Sequence, residues 1–391
     1  MSKNKNGGES KLQLTEIQDI NENNGLLTFK IKGNVSIANG LRRTLLQDIP
    51  TVCIKTEPYN DVSEPLSSII IYENTTSFTN EILKQRLACV PVHIKDLDAE
   101  KIDNLVLEIE KENTGSAVEF ITTEDFKLKE KTTNRYLTKD AVKKIFPPSE
   151  LTKDYILFAR LKPGMSKKYP GQKLKLACKF FISTAKTSGQ YNVCSTSAYR
   201  NAPDPVMQDA AWNEVEEKLQ ESGIPGSEIA KKKANWDIHD SKKYFIMNEF
   251  DFKLETIGVF RNEELIKKAC SVLMVRFANL LEKVNNNEIE YKKNTINVKN
   301  SFDIILPNID YTLGKTIEYI LHERFLEKNK TFSFVGFIKK HPHDDFSIIR
   351  IVFRKDEQGD GESGVDNLKN ILAAAIDYSM KHYNNINDSF I

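Results

Sequence analysis

The chain has 391 residues, with 56 Lys and Arg against 55 Asp and Glu, a formal net charge of +1, and 40% apolar residues. That length suits two or three domains, and the apolar share is enough for a sizeable core. The balanced charge argues against a protein whose task is to coat nucleic acid, because phosphate affinity needs clustered excess cation. Met1 to Ser10 is polar, so no signal-peptide core is expected. No run approaches about 18 apolar residues, so a soluble chain without a membrane partner is expected.

In chain order, Leu26 to Ile31 ends in near alternation and reads as a strand. Ser36 offers an N-cap hydroxyl to a helix in which Ile37, Leu41 and Leu45 recur at i, i+4 and i+8 on one face, with Arg42 and Arg43 pointing elsewhere. Pro50 stops that helix, and Val52 to Thr56 reads as a further strand. Residues 127–175 then hold 14 Lys and Arg against 4 Asp and Glu, a local +10 that leaves −9 for the rest. With Pro147-Pro148 and Pro163-Gly164 as breakers, this looks like a loop-rich insertion. Its lysines are a solvated surface or a patch for nucleic acid or an acidic partner. Aromatic residues are not interleaved with them as a stacking platform requires.

Phe250 to Ile257 alternates strictly, Gly258 ends it, and Glu263 to Val284 reads as a long helix closed by Asn285-Asn286-Asn287. After that linker the order of elements recurs. Phe302 to Leu306 is a strand, Thr312 is a cap candidate, and Leu313, Ile317 and Leu321 repeat the i, i+4, i+8 stripe. Phe332 to Ile338 and Phe346 to Phe353 are two strands joined by a turn at 339–345. Residues 358–364 are a turn-rich loop, and Val365 to Tyr383 is a final helix. Each half thus reads strand, capped helix, strand, strand, long helix, with about 150 residues interrupting the first. The expected fold class is α+β: one small fold occurring twice, with an α+β domain inserted in the first copy. The boundaries are 11–95 with 246–285 for the first copy, 96–245 for the insertion and 288–391 for the second copy. Two copies in one chain suggest a pseudo-dimer packed like an isologous homodimer. The two stripes, Ile37, Leu41 and Leu45 with Leu313, Ile317 and Leu321, are the candidate interface, each large aliphatic contributing about 1.5–3 kcal/mol when buried.

Catalytic and cofactor signals are weak. Cys53, Cys89, Cys178, Cys194 and Cys270 are scattered without a C-x-x-C pair, which fits a reducing compartment and buried thiols better than disulfides or a Cys-rich metal site. No Asp cluster for Mg²⁺, Gly-rich phosphate loop or nucleophile elbow is found. His341-Pro342-His343-Asp344-Asp345 reads as a turn, since no third ligand accompanies the two imidazoles. A Cys89/His93 hydrolase pair has only proximity in sequence behind it. No catalytic, cofactor or metal residue is therefore expected.

The segment Ser36-Ile37-Ala38-Asn39-Gly40-Leu41-Arg42-Arg43-Thr44-Leu45-Leu46, followed by Ile49-Pro50-Thr51, resembles the signature of the RNA polymerase alpha-like subunits. Asn80 to Leu87, then Val90-Pro91-Val92, is similar to the family's "Arg-Leu-Gly-x-x-Pro" block, with Ala88 in place of the glycine. Pro163-Gly164, Gly171 to Leu174 and Ser197 to Arg200 look like the family's inserted domain, in which Gly189-Gln190-Tyr191 replaces a usual "His-Ala-Lys". Asn308 to Lys315, Phe334 to Phe337 and His341 to His343 resemble the small partner subunit, although Tyr311 and Lys315 depart from its "Glu-Asp-His-Thr-Leu-Gly-Asn".

The resemblance implies a fusion of the third-largest subunit of a eukaryotic-type RNA polymerase II with its small dimerisation partner, an arrangement found in large DNA viruses. It implies no chemistry in this chain and no cofactor. The chain would be an assembly platform for transcription whose partners are the largest and second-largest polymerase subunits and other small subunits, with DNA contacted only through the assembled enzyme. Arg42 and Arg43 would sit where the second-largest subunit docks, and guanidinium forks suit carboxylate pairing there. Only Cys89 lies where many members carry a four-Cys metal loop, so that site is expected to be missing. A viral source implies virion and host cytoplasm (the viral factory), and a cellular one the nucleus. The alternative is a nucleic-acid-binding protein acting through residues 127–175.

Overall fold

The computed structural model describes residues 14–54, 69–166, 168–294, 300–354 and 361–390. The first elements in chain order are β1 (Glu16–Asn23), β2 (Leu26–Lys32), α1 (Val35–Gln47), β3 (Thr51–Ile54), β4 (Ile69–Asn74), α2 (Asn80–Ala88), α3 (Ala99–Asp103), β5 (Leu105–Glu112), β6 (Glu119–Thr122) and β7 (Lys127–Glu130). Then come α4 (Lys139–Ile145), β8 (Leu157–Leu161), β9 (Lys173–Ser183), β10 (Cys194–Pro203), α5 (Pro205–Glu221), α6 (Gly226–Ile238), β11 (Phe245–Thr256) and α7 (Asn262–Asn285). The last are β12 (Glu290–Asn294), β13 (Ser301–Pro307), α8 (Tyr311–Leu321), β14 (Phe332–Ile338), β15 (Phe346–Phe353) and α9 (Gly361–Ser389). The fold class is α+β, its sheets built on antiparallel pairs such as β1–β2, β2–β11, β13–β15 and β5–β9.

The chain divides into two compact units. One comprises the described residues of Met1–Thr44, Thr196–Glu255 and Ile266–Ile391. It contains two four-stranded sheets, of order β1-β2-β11-β10 and β12-β13-β15-β14. Both follow a like path: an antiparallel hairpin, a helix, two further strands of which the later lies beside the hairpin, and a long helix. The alternation of β2 buries Leu27, Phe29 and Ile31 on one face, and that of β13 buries Phe302, Ile304 and Leu306. Asn24 and Gly25, both at positive φ, close the β1–β2 hairpin in two residues. The helices α5 and α6, set between β10 and β11, bury Trp212, Ile229 and Trp236 in a small cluster of their own.

The other unit comprises Leu45–Ser195 and Thr256–Leu265. Its main sheet runs β3-β9-β5-β7, with β4 also on β9, and β6 pairs β8 separately. Leu107, Ile109, Leu128, Leu174, Leu176 and Phe180 are among its buried core, with Phe126 edge-on to both Phe146 and Phe158. Arg86 of α2 donates from Nε to the Phe158 carbonyl (2.7 Å) and from a terminal nitrogen to that of Leu157 (2.6 Å), fixing α2 on β8.

Several local expectations are corrected. The cap of α1 is Asn34, whose Oδ1 accepts from the Ser36 N–H (2.9 Å), and Ser36 is already inside the helix. The cap of α8 is Asp310, which accepts from the Thr312 and Leu313 amides. Both true caps stand two residues before the predicted ones, so the matching of Ser36 with Thr312 keeps its offset. The strand at Val52 joins β9 in the second unit, and residues 55 and 56 lie outside the described residues. Residues 361–364, read as loop, begin α9, while 358–360 lie outside the described residues. β1, β10 and β12 were not anticipated, nor was the π-helical turn His322–Lys328 that extends α8.

Candidate functional site

Within the first unit, the first series of elements (β1, β2, α1, β10, β11, α7) meets the second (β12 to α9) through a set of buried contacts. The residues of both predicted stripes, Ile37, Leu41, Leu45, Leu313, Ile317 and Leu321, are fully buried. Leu45 belongs to the second unit, where its carbonyl receives the Cys194 thiol (3.4 Å). The two series come close together at Gly40. A Cβ there would collide with the Tyr383 hydroxyl of α9, and the Thr312 carbonyl of α8 lies 3.8 Å away. A glycine inside a helix costs about 1 kcal/mol relative to alanine, and here the missing methyl lets α1 touch α9.

Tyr383 is wholly buried. Its ring stacks on Phe277 of α7, centroids 6.0 Å apart, and its hydroxyl lies 3.3 Å from the Thr316 hydroxyl. Thr316 donates its own proton to the Thr312 carbonyl (3.1 Å), so Tyr383 is the donor to Thr316. Burial pushes the phenol above its ordinary range. Phe29 of β2 stacks on Phe252 of β11 and meets Phe390, just past α9, edge-on at 5.1 Å.

Polar contacts join the same elements. Arg276 of α7 pairs with Asp310 Oδ2 (3.2 Å), while Asp310 Oδ1 caps α8. Burial alone would raise this carboxyl, but the guanidinium and the two amide bonds outweigh it and hold it below the usual range. His382 of α9 accepts the Thr15 amide proton at Nδ1 (3.1 Å), with the Thr15 hydroxyl 2.9 Å from the same nitrogen. Asn385 donates to the Thr15 carbonyl (2.6 Å). Nδ1 is thus the unprotonated nitrogen, and burial lowers His382 to about 4.

Arg42 and Arg43 differ. Arg42 directs Nε and a terminal nitrogen onto Asn39 Oδ1 (3.0 and 2.9 Å) and is satisfied within its own helix. Arg43 is half-buried, and its Nε is enclosed without a hydrogen-bond partner among the described residues. A buried donor left unpaired costs about 1–3 kcal/mol, which marks Arg43 as the residue of the pair with unused capacity.

The basic segment 127–175 faces acidic neighbours. Residues 96–126 carry ten acidic and two basic side chains. Lys131 pairs with Asp103 (3.0 Å), Lys173 with Glu73 (3.1 Å) and Lys175 with Glu110 (2.9 Å). Cys53, Cys178, Cys194 and Cys270 are buried, and burial pushes each thiol up, Cys53 and Cys270 to about 12. His341 and His343 occupy the β14–β15 turn, where Asp344 accepts the His341 amide (3.0 Å). Among the described residues no group of three or more His, Cys, Asp or Glu is placed to hold a metal ion, and no helix is long and apolar enough to cross a membrane.

Sequence reasoning named the stripes and the arginines as candidates and did not single out Gly40, Arg276, Asp310, His382 and Tyr383. The mid-helix glycine was a usable signal; the others carry none until the helices are placed.

A family model described as the RNA polymerase Rpb3/Rpb11 dimerisation domain matches residues 28–277. The human DNA-directed RNA polymerases I and III subunit RPAC1 is 23% identical over 311 residues, covering 69% of this chain and 84% of that protein. The DNA-directed RNA polymerase subunit Rpo3 of Pyrococcus horikoshii is 23% identical over 282 residues, covering 69% and 99%. A conjugation stage-specific protein of Tetrahymena thermophila is 22% identical over 324 residues, covering 72% and 98%.

Proposed function

The chain belongs to the RNA polymerase Rpb3/Rpb11 dimerisation-domain family, and from that premise we propose that it is a non-catalytic assembly subunit of a multisubunit DNA-directed RNA polymerase, carrying both halves of the alpha-like pair in one chain. One observation carries the second part of this reading: the same sheet order occurs twice, and Gly40 of the first series meets Tyr383 of the second. In this reading residues 11–95 with 246–285 form the first copy, 288–391 the second, and 96–245 the insertion, which lends β10 back to the first sheet. On the same reading, the buried Ile37, Leu41, Leu313, Ile317 and Leu321 and the Arg276–Asp310 and Thr15–His382 contacts hold the copies together as an intramolecular heterodimer.

The outward role is docking. Arg43, which unlike Arg42 is not engaged by Asn39 on its own helix, is the better candidate of the two arginines for a carboxylate of the second-largest subunit, with the largest subunit and other small subunits completing the assembly. The chain needs no cofactor and reaches DNA only through the assembled enzyme. The acidic partners of Lys131, Lys173 and Lys175 favour this over the nucleic-acid reading of residues 127–175. Fusion of the pair in one chain further points to a large DNA virus, with transcription in a cytoplasmic factory and the subunit packaged in the virion; a cellular polymerase would place it in the nucleus.

Affinity purification of the tagged full-length chain, with mass-spectrometric identification of what accompanies it, tests the proposal. Recovery of the two largest polymerase subunits is expected. Their absence from a preparation of folded chain would sink it.

A further inference from the structure

The two sheets share an order but not a surface. In the first, the face opposite the buried Leu27, Phe29 and Ile31 carries Thr28, Lys30 and Lys32 on β2 and Glu249, Asp251, Lys253 and Glu255 on β11. Four of these charges are paired, Lys32 with Glu249 (3.1 Å), Asp251 with Arg200 (3.0 Å) and Lys30 with Asp19 (2.9 Å). This face is built for water.

The equivalent face of the second sheet is apolar over β14 and the facing ends of β13 and β15, while β12 adds the mutually paired Glu290 and Lys292. Pairing sets Ile305 opposite Ile348, Pro307 opposite Phe346, Ile338 opposite Ile348 and Phe334 opposite Val352. Phe334 and Ile338 are each 50% exposed and Phe346 39%. The Phe334 ring lies over Gly336, whose Cβ position would be 2.8 Å from it. At the centre Arg350 forks onto both oxygens of Asp303 (2.6 and 2.7 Å), so this cation is already satisfied. The free edge of β14 is partly closed as well, because Glu318 accepts the Phe337 N–H (3.0 Å). Residues 328–354 hold six Lys and Arg against two Asp; Lys328 pairs with Glu323, Arg350 with Asp303, and Arg354 donates to the Phe332 carbonyl, so Lys330, Lys339 and Lys340 are the cations outside these contacts. Lys339 and Lys340 follow Ile338 directly, and Lys340 is exposed.

We propose that the outer face of the β12-β13-β15-β14 sheet, centred on Phe334, Ile338 and Phe346, is a docking surface for an acidic amphipathic segment of another polypeptide. Apolar side chains of that segment cover the exposed rings and aliphatics, and its carboxylates meet the lysines that border them. Ile338 and Pro307 beside the rings offer a base neither stacking nor hydrogen bonds, and Arg350 is already spent on Asp303, which favours a polypeptide over a nucleic acid. The surface is inferred from the contrast between the two sheets; only the identity of the partner as a polymerase subunit rests on the proposed function.

The test uses the tagged full chain assembled in the cells that express it, with photoreactive benzoylphenylalanine at Phe334 or, as control, at Lys30 on the twin face. Irradiation is expected to give one adduct to another polypeptide from position 334 and none from position 30. The cross-linked peptide should carry excess Asp and Glu between apolar residues, and Lys339→Glu with Lys340→Glu should lower the yield at least fivefold. No adduct at 334, an adduct to nucleic acid or to another copy of this chain, or a yield untouched by the charge reversal would overturn the surface. Polymerase subunits that co-purify without the adduct leave the proposed function standing while the surface fails. An acidic partner that is not a polymerase subunit does the reverse.

Discussion

Replacing Gly40 by alanine puts a methyl group where the Tyr383 hydroxyl now sits. In an open helix this change would stabilise by about 1 kcal/mol. Here the ring cannot withdraw, because it is wholly buried and stacked on Phe277. Overpacking of such a site costs about 1–3 kcal/mol, and displacing the hydroxyl from Thr316 costs about 1 kcal/mol more. Gly40→Ala is therefore expected to destabilise by about 1–3 kcal/mol net. Tyr383→Phe alone loses only the bond to Thr316, about 1 kcal/mol. In the double variant the hydroxyl is gone, and the nearest ring atom, Cζ, lies 3.5 Å from the new methyl, an ordinary contact. The double variant should then be at least as stable as Gly40→Ala alone, with a coupling energy of about 2 kcal/mol. Urea midpoints followed by far-UV circular dichroism, compared at equal slopes, measure all three. Additivity within about 0.5 kcal/mol would refute the α1–α9 contact on which the paired-fold reading stands.

Three further outcomes are expected. His382 binds a proton only near pH 4 in the folded chain but near 6.5 when unfolded, so its contribution is full above pH 6.5 and is lost as pH falls towards 4, by at most about 3 kcal/mol; His382→Gln should flatten the urea midpoint over that window relative to wild type, and parallel profiles would count against it. Asp310→Ala should cost about 2 kcal/mol through loss of the α8 cap and of the Arg276 pair, and Asp310→Asn about half, because asparagine still caps; equal losses in thermal unfolding would show that the cap matters less than the charge. Arg43→Ala should leave thermal unfolding within about 1 kcal/mol of wild type, since its Nε has no partner to lose, yet reduce co-purification of the second-largest subunit; undiminished recovery would assign docking elsewhere.

Legibility followed burial. β2, β13 and β15 announce themselves because one face is packed and the apolar residues alternate or run together. β1 and β12 hide almost nothing and carry charged, irregular sequences, so periodicity is silent about them. The Asn24-Gly25 pair between β1 and β2 was the available sign of a hairpin. Both caps were misplaced for one reason: Asn34 and Asp310 are followed two residues later by Ser36 and Thr312, and all four residue types satisfy helix amides. The pairing of β3 with β9 joins residues more than a hundred positions apart, a choice made by the whole core and not by either strand. Of the candidate site, the apolar stripes were readable from spacing, while Arg276, His382 and Tyr383 act only through helices that packing brings together.

Only residues 286–289 separate α7 from β12. In the proposed reading this short join removes a step that separate subunits must take. Two free partners find each other at a rate and to an extent set by how much of each the cell has made, and an excess of one is left with its apolar stripe bare. On one chain the encounter is intramolecular, at an effective concentration that does not fall on dilution. Stoichiometry is then fixed at translation, neither half can be exchanged for a homologue, and each ribosome passage yields one ready foundation for the larger subunits.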